Sequence, residues 1–111
     1  LAARSGGMML SPSAAKPVRR LVREMSISHA DFFRLLPAGL GPMRFQQTGL
    51  RIEATAGTRS VTIGISAEQS RQLGALTLPL VSVTLESSGF DDQEWAGFLS
   101  RFEQAYQRGG G

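Results

Sequence analysis

The stretch "LTLPLVSVTLESSGFDDQEWAGFLSRFEQAYQR", residues 76–108, changes its period halfway. In the first part Val81, Val83 and Leu85 alternate with Ser82, Thr84 and Glu86, which is the two-residue period of a strand with one buried face. Pro79 has no N–H to give, so it belongs near the start of that strand or at an edge. Past "SSGF" the apolar residues are Trp95, Phe98, Leu99, Phe102 and Tyr106, which share one stripe along about four turns of an α-helix. Asp91 or Asp92 supplies the N-cap, and Arg101, Glu103, Gln104, Gln107 and Arg108 fall on the other faces. A strand with one face to bury, followed by a helix with a stripe to cover it, predicts a two-layer α+β domain in which Trp95 is buried.

Working upstream, "TGLRIEAT" (48–55) and "RSVTIGI" (59–65) alternate in the same way about a turn at Gly57, which reads as a β-hairpin. "MRFQQ" (43–47) either extends its first strand or pairs separately. In "SHADFFRLLPAGLG" (28–41), Ser28 is an N-cap with Asp31 three residues on, and Phe32, Leu35 and Leu36 form a helical stripe. Pro37 disfavours helical geometry at Leu36, and Gly39 and Gly41 complete the stop. "VRRLVREMSI" (18–27) reads as a strand, suited to an edge. Between the hairpin and the last strand, Ser66 with Gln69 has the form of a second capping box, predicting a short helix to about Leu73.

The expected fold class is therefore α+β: a mainly antiparallel sheet with helices on one face. The first six elements have the order of a ferredoxin-like βαββαβ unit, with an added C-terminal helix. Residues 18–108 form a single α+β domain. Residues 1–17, "LAARSGGMMLSPSAAKP", show no period and read as a disordered N-terminal arm in which Met8 or Met9 is a candidate start. Residues 109–111 read as a flexible glycine tail. The ending "YQRGGG" resembles the tails of ubiquitin-like carriers, but glycine after an amphipathic helix is also how a helix stops.

The chain has 111 residues, 12 basic and 9 acidic, for a net charge of +3. The first 24 residues carry +4 and the rest −1, so the basic character is N-terminal. Arg19, Arg20 and Arg23 are the candidate contacts for a partner or for phosphate. There is no cysteine, which excludes disulfides and thiolate metal sites. No apolar run approaches the ~20 residues of a membrane span, and no signal-peptide pattern is present, so a soluble cytoplasmic protein with no membrane partner is expected.

Residues for chemistry are few. His29, the only histidine, stands two residues before Asp31, a spacing that puts the pair on different helix faces. Asp91, Asp92 and Glu94 suit a first helical turn rather than a cation. The glycines lack the spacing of a phosphate loop, and no strand carries the basic-aromatic pattern of an RNA-recognition module. No catalytic residue, cofactor or metal is expected. The reading is a non-catalytic protein-interaction or accessory module, with a protein partner or self-association served by the apolar strand at 76–85. The alternative is a nucleic-acid-binding protein using the arm and Arg19, Arg20 and Arg23.

Overall fold

The computed structural model describes residues 16–110. The arm expected over residues 1–17 lies almost wholly outside the described residues. Along the chain the elements are β1 (Arg19–Met25), α1 (His29–Leu40), β2 (Arg44–Thr48), β3 (Arg51–Ala56), β4 (Arg59–Ile65), β5 (Gln69–Leu73), β6 (Leu76–Ser88) and α2 (Asp92–Gly110). The α+β class holds. The six strands form one sheet of order β1-β6-β4-β3-β2, with β5 added beside the start of β6. Every pairing is antiparallel.

The ferredoxin-like order is not found. Its βαβ halves require helical crossovers, and the second expected crossover, residues 66–73, holds no helix but the strand β5. Ser66 spends its capping groups on β6: its N–H donates to the Ser82 carbonyl, and its hydroxyl accepts from the Ser82 N–H at 2.8 Å. Glu68 caps a different helix, accepting from the His29 N–H at 2.8 Å. The segment continues β4 after a one-residue bulge: Ile65 faces Val83, then three residues oppose two before Gln69 faces Leu80. β5 and residues 76–80 thus form a two-stranded ribbon beyond the main sheet.

Since β1 and β2 are the two edge strands, α1 carries the chain across one whole face. It starts as expected, with the Asp31 N–H on the Ser28 hydroxyl at 3.1 Å. It does not stop at Leu36 but runs on through Pro37 to Leu40. A helical proline costs about 3 kcal/mol, and fully burying Leu36 and Leu40 offsets it at about 1.5–3 kcal/mol each. Gly41 then ends the helix with φ +62°, its N–H donating to the Pro37 carbonyl at 3.0 Å.

α2 begins with a reciprocal capping box. The Glu94 N–H donates to Asp91 at 2.7 Å and the Asp91 N–H to Glu94 at 2.9 Å. Its backbone stays helical through Gly109 and Gly110, so the expected stop after Arg108 is corrected. Between the layers Phe32, Leu36, Leu40, Phe98, Phe102 and Tyr106 meet Ile52, Val61, Ile63, Val81, Val83 and Leu85. Trp95, expected to be buried, is only half-buried, stacked on Phe98 at the margin of the core. No helix among the described residues is long and apolar enough to cross a membrane.

Candidate functional site

Strand alternation separates the three arginines singled out above. Arg19 and Arg23 lie on the helix-facing side of β1 with Leu21 and Met25, while Arg20 lies on the opposite face with Val22 and Glu24. Each has an acidic partner. Arg19 donates to the Phe90 carbonyl at 2.9 Å and pairs with Asp92. Arg23 pairs with Glu103 at 2.8 Å, and Arg20 with Glu86 at 3.5 Å on the neighbouring strand. The arginines do not converge on a common point. They tie β1 to α2 and to β6.

Around the Arg23–Glu103 tie the helix and the edge strand stand apart. A groove of about 440 Å³ opens between the end of β1 and the second half of α2. Its walls are Met25, Ile27, Leu85, Leu99, Phe102 and Tyr106, and its rim carries Arg23, Glu103 and Gln107. Among the described residues β1 pairs with β6 on one side only, so its other edge offers main-chain N–H and C=O groups beside this apolar trough.

The Tyr106 hydroxyl is spent on structure. It donates to the Phe32 carbonyl at 3.0 Å, and its ring stacks on Phe32. Burial raises its pKa above the ordinary phenol value, so it is not an acid or base near neutral pH. His29 likewise ties α1 to the strand beyond it, with Nε2 2.8 Å from the Ser66 carbonyl, while Asp31 pairs with Arg34. Among the described residues no group of three or more His, Asp or Glu could hold a metal ion.

A second exposed apolar feature is the ribbon tip. Leu73 and Leu76 flank the turn and are 54% and 63% exposed. They share a face with Leu78 and Leu80, on the side of the sheet that no helix among the described residues covers. Sequence reasoning found the apolar strand but not which half of it lies open. It also placed Leu99, Phe102 and Tyr106 on one apolar stripe; Phe102 and Tyr106 are core, while Leu99, like Met25 on β1, is only partly buried and borders the trough.

Compared with models of known protein families, with curated proteins and with solved structures, the chain matches none of them.

Proposed function

We propose that this is a cytoplasmic protein-interaction module that binds an extended segment of a partner protein along β1. The observation that carries this reading is the juxtaposition of a strand edge left unpaired among the described residues with an apolar groove of about 440 Å³. A segment added as a further strand satisfies the free main-chain groups of β1 and places alternate side chains against Leu99, Phe102 and Met25. The rim holds both signs of charge, which favours segments with mixed charge over polyanions. The phosphate-contact reading of Arg19, Arg20 and Arg23 has less support, because Asp92, Glu86 and Glu103 already neutralise them.

The test is selection of peptides from a displayed random-sequence library, followed by binding of the synthetic peptides to the full chain. Selected peptides should have alternating apolar positions and lose affinity when alternate amides are N-methylated. Leu99→Arg, at a half-exposed groove wall, should abolish binding while leaving the melting temperature nearly unchanged. Binding that tolerates both N-methylation and Leu99→Arg would refute strand addition here. Sedimentation of the free chain as a dimer through β1 would instead make a second copy the occupant.

A further inference from the structure

We propose that a second, smaller cavity binds a small oxyanion, a phosphate or carboxylate group, between Arg59 and Arg101. This cavity, of about 160 Å³, lies at the other end of α2 from the groove, beside the loop after α1.

Three observations lead there. The first is charge. Among the described side chains six basic residues pair with carboxylates, and the arginines with no such ion pair are Arg44, Arg59, Arg71 and Arg101. Two of these four line the same cavity.

The second is placement. Arg59 is held with its guanidinium carbon 5.7 Å from the centre of the Phe90 ring. Arg101 packs over Gly41 so closely that a Cβ there would stand 2.8 Å from its Nη1. Both cations are thus positioned by contacts that leave N–H donors for an oxyanion, the group that arginine forks recognise best.

The third is Gly97. Glycine inside a helix is destabilising relative to alanine. Nothing in the packing explains it, because a Cβ at Gly97 would meet no atom within 4 Å. Gly97 lines this cavity one turn before Arg101, so a side chain would take up space that glycine leaves open. The one carboxylate present, Glu94, is engaged elsewhere: it accepts from the Asp91 N–H at 2.9 Å and lies 3.6 Å from the Lys16 ammonium.

The experiment is titration of inorganic phosphate into the nitrogen-15-labelled full chain, followed on backbone amides and arginine Nε–H signals. Sodium acetate and sodium chloride at matched ionic strength form parallel arms. Phosphate or acetate should give saturable shifts centred on Gly97, Gly41, Arg59 and Arg101, and the tighter of the two identifies the source class. Chloride should give none. Arg101→Gln, and separately Arg59→Gln, should weaken binding by about tenfold or more, the loss of one hydrogen bond to a charged group. Gly97→Ala should raise the melting temperature and weaken binding, a combination that a purely structural glycine would not produce. Shifts that fail to saturate or equal those in chloride would overturn the proposal. So would saturable binding that ignores Gly97→Ala and both glutamine variants.

Discussion

β1 and β2 are the two edges of one sheet, and they are finished differently. β1 packs Leu21 and Met25 against the core and is tied to α2 through Arg19 and Arg23. All five residues of β2 are exposed, including Phe45 on the helix-facing side, and its one side-chain bond among the described residues is local, from Gln47 to the Gly49 carbonyl. The difference lies in the helical layer rather than in the strands. α2 stays close enough to β1 for guanidinium groups to reach it, yet far enough to leave a trough. On the proposed reading, the edge that stands beside the apolar trough is the one that docks a partner.

The largest expected effect would break the wall on which that contrast depends. Phe102 is buried, lines the groove, stacks on Phe98 and meets Tyr106 at a tilt. Phe102→Ala should cost about 3–5 kcal/mol, seen as a sharply lower melting temperature at any protein concentration. A folded variant of undiminished stability would show that this stripe is not core.

The two edges themselves come next. Arg19→Ala removes hydrogen bonds to the Phe90 carbonyl and Asp92 from a mostly buried side chain and should cost about 1–2 kcal/mol. Arg44→Ala on β2, with no ion pair to lose, should stay within about 0.5 kcal/mol. Equal costs in urea melts would mean that β1 is no better fastened than β2.

A smaller effect sharpens the picture of the groove floor. Tyr106→Phe loses the bond to Phe32 and should cost about 1 kcal/mol at neutral pH. Burial raises the folded phenol above the unfolded value of about 10. The unfolded chain therefore ionises first, and stability present below pH of about 10 is lost as the pH rises past it. The phenylalanine variant should lack this part of the alkaline decline. A wild-type curve no steeper than that of the variant would contradict the burial argument.

What the sequence made legible was local. The two-residue period of 81–85 and the helical stripe from Phe98 to Tyr106 each needed only neighbours along the chain. Residues 66–73 were misread because a capping box is a local pattern, whereas the partners that claimed Ser66 and Glu68 are Ser82 and His29. Pro37 was misread for the same reason: burial of Leu40 in the distant core outweighs a local penalty. The arginines looked like one basic patch because they are adjacent in sequence. Alternation put Arg20 on the other face, and the acids that meet Arg19 and Arg23 come from 73 and 80 residues away. The groove is a gap between such distant elements, so no local pattern encodes it.

The most direct test of the central claim is amide hydrogen exchange, read by NMR, on the chain with and without a library-selected peptide. Strand addition predicts that every second amide of Arg19–Met25 slows on binding, while the amides of Arg44–Thr48 keep their free rates. Slowing along β2 or along the Leu73–Leu76 tip, with β1 unchanged, would contradict it.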